Sequence, residues 1–135
     1  MAVAVGSTAI ERLQAAAHTI PTDRPESDGT LEWDSTTILV VEARADGRTG
    51  LGYTYTDAAA ADVVTGKLAE VVEGRDALAV AAAHEAMGRA LRNVGRPGLA
   101  WCALSALDLA LWDLKARLLD LPLARLLDPV RDALP

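Results

Sequence analysis

The order of patterns along this 135-residue chain predicts an α+β fold: a three-stranded antiparallel meander sheet followed by a three-to-four-helix bundle packed on it. Three observations carry the prediction. Strand-like runs occur only before residue 57; two of them flank an Asp46-Gly47 pair; and every later run follows a helical period punctuated by glycine. The composition, 51% hydrophobic and 24% charged, is that of one globular domain spanning 1–135.

The first strand is expected over 10–20, where Ile10, Leu13, Ala15, Ala17 and Ile20 precede Pro21. The segment 21–35 holds two prolines, a glycine, Arg24 and the acidic residues Asp23, Glu26, Asp28, Glu32 and Asp34, and predicts a long loop. A loop of that length inside a small domain is a first place to look for ligand contacts. The run TTILVVEA at 36–43 is β-branched and nearly continuously apolar, and TGLGYTYT at 49–56 alternates with Leu51, Tyr53 and Tyr55 on one side. Between them Asp46-Gly47 supplies the positive φ angles of a tight hairpin turn.

Helices account for the remainder, 57–128. Asp57 is placed to cap a helix to Glu73, with Val64, Leu68, Val71 and Val72 on one stripe and Gly74 as its stop. Gly66 inside it costs about 1 kcal/mol. Asp76 is placed to cap the next, whose stripe is Val80, Ala83, His84, Met87, Leu91 and Val94, ended by Gly95. A third runs from Pro97, in its first turn, to Leu119, and is apolar on several faces. Pro122 opens a last short turn that Asp128-Pro129 breaks.

Charge and composition exclude several functions. A net charge of −6 with no basic run lacks the footprint that nucleic acid or anionic lipid demands. No apolar run is long and uncharged enough for a membrane span; 99–114 carries Asp108 and Asp113. Residues 1–6 show neither the basic segment nor the apolar core of a signal peptide. Cys102 is alone, so no internal disulfide forms, and with only His18 and His84 beside it there is no zinc cage. A reducing cytoplasmic setting is the expectation.

The residues offer little catalytic chemistry. The glycines at 47, 50 and 52 lie within a hairpin and serve the turn and a crowded strand rather than a phosphate loop. His84 falls on an apolar stripe and reads as a hydrogen-bonded core residue, whereas His18 ends a strand before the long loop, where exposure or a substrate contact fits. Asp108 and Asp113 are five residues apart and diverge on a helix, so they form no dyad. Asp113 is spaced to pair with Arg117, and Asp108 calls for a partner such as Lys115 or a backbone amide. The acidic set Asp23, Glu26, Asp28, Glu32 and Asp34 lacks calcium-loop spacing and reads as a solvated loop, with a hard cation as the alternative.

One stretch is more specific. The run ALDLALWDLKAR at 106–117, followed by LPLARLL at 121–127, closely resembles the cap-domain helix of the enolase superfamily, in its mandelate racemase and muconate lactonizing enzyme branch. The 36–41 strand, the Asp46-Gly47 turn and the run GLGYTY at 50–55 fit the same domain, so the resemblance spans 10–135. It implies an N-terminal domain that caps a C-terminal (β/α) barrel. The barrel carries the acid/base lysines or histidine and the Mg2+ that stabilises an enediolate formed next to a carboxylate. None of those barrel residues maps onto this chain, whose last residues fall where the first barrel strand is expected; this chain itself is expected to bind no cofactor and to supply no catalytic or metal residue.

What the resemblance assigns here is two segments, 21–33 and 53–57, that close over the barrel mouth, exclude water and touch the distal part of a carboxylate or sugar-acid substrate. Thr22, Asp23, Arg24, Trp33, Tyr53 and Tyr55 are the candidate specificity residues, Arg24 toward an anionic or polyhydroxylated end and the aromatics as pocket walls. The expected whole is a Mg2+-dependent acid-sugar dehydratase or racemase, homo-oligomeric in its full length. The competing readings are a free-standing homo-oligomeric or partner-binding α+β module, and a small-ligand domain built on the acidic loop.

Overall fold

Three antiparallel strands in the spatial order β1-β2-β3 form the sheet: β1 (Arg12–Ser27), β2 (Glu32–Ala45) and β3 (Arg48–Tyr55). The computed structural model describes residues 8–131, so the readings made on residues 1–6 and on the last residues of the chain lie outside the described part. After the sheet come α1 (Ala60–Val63), a π-turn (Val64–Leu68) that runs on into α2 (Ala69–Val72), then α3 (Val80–Ala90), α4 (Trp101–Leu118) and the short α5 (Leu123–Leu126). This is the predicted α+β meander with its helices on one face.

Strand parity sorts the residues. In β2, Leu39, Val41, Ala43 and Ala45 are buried against the helices, with Leu13 and Ala15 of β1 in the same rows through the pairs Leu13↔Ala43 and Ala15↔Val41. On β3 the same rows end in Gly50 and Gly52, paired with Ala43 and Val41. The backbone of α4 lies directly on these two glycines: a Cβ on Gly50 would stand 2.6 Å from Leu114 Cβ, and one on Gly52 would stand 2.5 Å from the Ala110 N. Absence of a side chain is therefore what lets the central helix reach the sheet. Leu104, Leu107, Leu111 and Leu114 of α4 then fill the core with Val64, Leu68, Met87 and Leu91.

The segment 21–35 is not the loop its composition suggests. The β1–β2 hairpin continues through it, with Pro21↔Ser35, then a register shift, then Glu26↔Trp33 and Ser27↔Glu32. A tight turn closes it at Asp28-Gly29, where Gly29 has φ +91 and the Asp28 carboxylate accepts the Thr30 and Leu31 amides at 2.9 and 3.0 Å. Prolines misled because β1 is an edge strand. Pro21 falls at a position whose N–H would point away from β2, and Pro25 falls inside the register shift, so neither forfeits a ladder bond. Exposure on both faces also removes the alternation by which a strand is recognised.

Between β2 and β3, Asp46 (φ 47) and Gly47 (φ 68) make the hairpin turn as expected. The 57–73 helix is broken by the π-turn, within which the Thr65 hydroxyl donates to the Ala61 carbonyl at 3.1 Å. Asp76 does not cap α3, which starts four residues later; its carboxylate accepts the Leu78 amide at 3.0 Å instead. Pro97 precedes α4 in an extended conformation (ψ 134), because Gly98 (φ 89) turns the chain before the helix begins. Val94 is 45% exposed rather than on the core stripe, since α3 ends at Ala90.

Candidate functional site

The β1–β2 hairpin and the end of β3 meet at one end of the sheet, on the face opposite the helices. Even-numbered residues of β2 point there, and the register sets them in rows: Ile20 with Thr36, then His18 with Ile38 and Tyr55, then Ala16 with Val40 and Tyr53. Where the hairpin bends over this face it encloses an open recess of about 510 Å3, floored by Ile20, Thr36 and Ile38 and walled by Pro21, Thr22, Glu26, Trp33 and Tyr55.

Three of the six candidate residues, Thr22, Trp33 and Tyr55, thus come together. Trp33 is held by its indole N–H, which donates to Glu26 Oε2 at 3.1 Å across the hairpin. Thr22 donates its hydroxyl to the Arg24 carbonyl at 2.8 Å, which shapes the irregular part of β1. Asp23 and Arg24 lie in that irregular part, exposed and outside the recess wall. Tyr53 sits one row away, 53% exposed on the same face. Sequence reasoning missed Glu26 as the anchor of Trp33, and Ile20 and Ile38 as the floor. The signal was present: a strand apolar on both parities, as TTILVV is, has two faces to cover.

The residues lining the recess bring together no reactive set. Its polar groups are the hydroxyls of Thr22, Thr36 and Tyr55 and one carboxylate already engaged by an indole, with no nucleophile and base in contact. Asp28, in the adjacent turn, has its carboxyl held down at about 2 from the usual 3.8, first by the Thr30 hydroxyl and then by the Leu31 and Thr30 amides. Among the described residues no three His, Cys, Asp or Glu side chains gather to hold a metal.

Elsewhere, His84 Nδ1 lies 3.0 Å from Asp108 Oδ1, joining α3 to α4, with Trp101 edge-on to the imidazole at 6.2 Å. This corrects two expectations. His84 is exposed rather than a core residue, and Asp108 is partnered by it rather than by Lys115, which stands over the Trp112 ring. Asp113 does pair with Arg117 at 2.8 Å, and its Oδ2 also accepts the Leu51 amide of β3 at 2.8 Å. The two aspartates serve different partners and form no dyad.

Comparison with known proteins then fixes the family. The family described as "Mandelate racemase / muconate lactonizing enzyme, N-terminal domain" matches residues 13–128. The chain belongs to this family. As a mandelate racemase/muconate lactonizing enzyme N-terminal domain it is 58% identical, with a TM-score of 0.85, to a mandelate racemase/muconate lactonizing enzyme-like protein from Rubrobacter xylanophilus, over 87% of this chain and 33% of that one. The L-talarate/galactarate dehydratase from Salmonella typhimurium, crystallised with Mg and L-lyxarohydroxamate, superposes with a TM-score of 0.80 at 30% identity, over 98% of this chain and 36% of that one. The 3,6-anhydro-alpha-L-galactonate cycloisomerase of Streptomyces coelicolor is 36% identical over 90% of this chain and 36% of the relative. The chain thus spans about a third of the length of these relatives. No helix among the described residues is long and apolar enough to cross a membrane.

Proposed function

We propose that this domain is the capping and specificity-setting part of an acid-sugar dehydratase or racemase whose chemistry, proton abstraction next to a carboxylate, resides in a C-terminal (β/α) barrel. The observation that carries the reading is the recess: two segments far apart in sequence, the β1–β2 hairpin and the end of β3, converge on one end of a domain whose family match covers 13–128. Relatives named as dehydratases of talarate, galactarate and rhamnonate support the acid-sugar class. In this role the domain closes over the barrel mouth, excludes water and holds the substrate end distant from the reacting carbon.

The aromatic wall of Trp33 and Tyr55 packs on the carbon skeleton, and the Thr22 and Tyr55 hydroxyls meet substrate hydroxyls. Arg24 and Asp23, on the exposed rim, reach the distal group of a longer substrate. Magnesium is assigned to the barrel in this reading; among the described residues no three His, Cys, Asp or Glu side chains gather to hold it. The full-length protein is proposed to be a cytoplasmic homo-oligomer.

Joining this domain to the barrel portion of the Salmonella typhimurium dehydratase and assaying a panel of sugar acids tests the reading. The fusion is expected to turn over at least one acid, and Trp33→Ala or Tyr55→Ala to raise KM about tenfold while kcat changes less. Turnover by this domain alone, or variants with unaltered KM across the panel, overturns it.

A further inference from the structure

The hydrogen-bonding groups on the hairpin side of the recess are sorted by what they have already spent. Trp33 gives its indole N–H to Glu26 Oε2 at 3.1 Å, and Thr22 gives its hydroxyl hydrogen to the Arg24 carbonyl at 2.8 Å. What this side still offers a ligand is therefore acceptors: the lone pairs of Thr22 Oγ1 and the second carboxylate oxygen of Glu26, which takes no donor among the described residues. The remaining side-chain donors in the lining are the hydroxyls of Thr36 and Tyr55.

Charge points the same way. Glu26 is the one charged side chain that lines the recess. The segment 21–35 around it holds four more carboxylates, Asp23, Asp28, Glu32 and Asp34, against a single cation, Arg24, which lies outside the wall. His18, on the neighbouring row, lines a separate depression with Gln14 and Glu42. A volume of about 510 Å3 spans about 10 Å, close to the Debye length of about 8 Å at physiological salt, so an anion seated there stays within reach of the Glu26 charge.

We infer that the recess selects, among sugar acids, those with a single carboxylate: it takes an uncharged, hydroxyl-bearing end and rejects a second carboxylate. The inference rests on the capping role proposed above and names what that cap admits. A hydroxyl end donates to Glu26 and Thr22 while its carbons pack on Trp33 and Tyr55. A carboxylate only accepts, so it leaves both acceptors unmet and sets two like charges in one small recess. A monocarboxylate has an uncharged end to present, whereas a dicarboxylate presents a charge whichever way it enters.

Gluconate and glucarate share chain length and stereochemistry and differ only at the end opposite the first carboxylate, so the pair isolates the distal group. Titrating the 135-residue chain with each, followed by the indole N–H resonance of Trp33, reads the contribution of this domain by itself. Gluconate is expected to shift that resonance with a dissociation constant about tenfold lower than that of glucarate. Glu26→Gln removes the charge but keeps an oxygen to accept the indole, so it is expected to bring the two acids within about threefold by tightening glucarate. Raising the salt concentration narrows the gap in the parent chain and not in the variant. Equal response to the two acids, response to neither, or a preference unchanged in Glu26→Gln overturns the inference. The barrel fusion separates this failure from failure of the cap: a KM that rises in Trp33→Ala beside any of those results leaves the capping role standing and the selection refuted.

Discussion

Replacing Gly52 by alanine adds one methyl group and tests how the central helix reaches the sheet. Gly52 has an ordinary negative φ, so alanine meets no backbone penalty, and the whole effect is steric. The new Cβ would lie 2.5 Å from the Ala110 N and 3.0 Å from Leu109 Cβ, and against the Ala106 carbonyl. A backbone nitrogen and a backbone carbonyl cannot rotate aside, so α4 must lift by about 1 Å to restore ordinary contact.

That helix carries Leu104, Leu107, Leu111 and Leu114, all fully buried, so lifting it loosens the core along its length. Overpacking of this kind costs about 3 kcal/mol, and restricting the unfolded chain returns about 0.5–1 kcal/mol. The net loss of about 2 kcal/mol or more lowers the melting temperature by about 6–10 °C in a domain of this size. Thermal unfolding followed by far-ultraviolet circular dichroism measures it. Gly66→Ala is the internal control: nothing lies within 4 Å of its would-be Cβ, and alanine in that helical stretch raises stability by about 0.5–1 kcal/mol. A Gly52→Ala protein melting within about 2 °C of the parent would refute the close approach.

Asp113→Ala leaves the Leu51 amide and Arg117 without their acceptor and is expected to cost about 1–2 kcal/mol in urea unfolding, whereas Asp113→Asn, which keeps an acceptor oxygen, recovers most of it. His84→Ala removes a half-exposed pair with Asp108 and is expected to cost less than about 1 kcal/mol, with a double-mutant cycle against Asp108→Ala giving a coupling of the same order. The Asp28-Gly29 turn is acid-sensitive in a defined window. The Asp28 carboxyl titrates near 2 rather than 3.8 in the folded chain, so its hold on the turn is complete above about pH 4 and is lost as pH falls toward 2. The Thr30 and Leu31 amide resonances should therefore titrate with a midpoint near 2, and a midpoint at the ordinary aspartate value would show that the carboxylate is not engaged.

Sequence alone determined the meander, the Asp46-Gly47 turn, the stripe of Val64, Leu68 and Val72 and the family itself, because each rests on local period, local turn chemistry or a contiguous motif. It also marked Trp33, Tyr53 and Tyr55 as aromatics outside the core stripes. Tertiary structure decided what no local period encodes. The hairpin through 21–35 is held by cross-strand pairs whose members are exposed on both strands, so hydrophobic alternation is silent there. His84 lies outside the core because the packing of α3 beside α4 supplies it a partner there, the Asp108 carboxylate 3.0 Å from its Nδ1. Gly50 and Gly52 looked like relief for a crowded strand, and only the packing of α4 showed what crowds it. The recess depends on the register of three strands, which is set by pairings between residues distant in sequence.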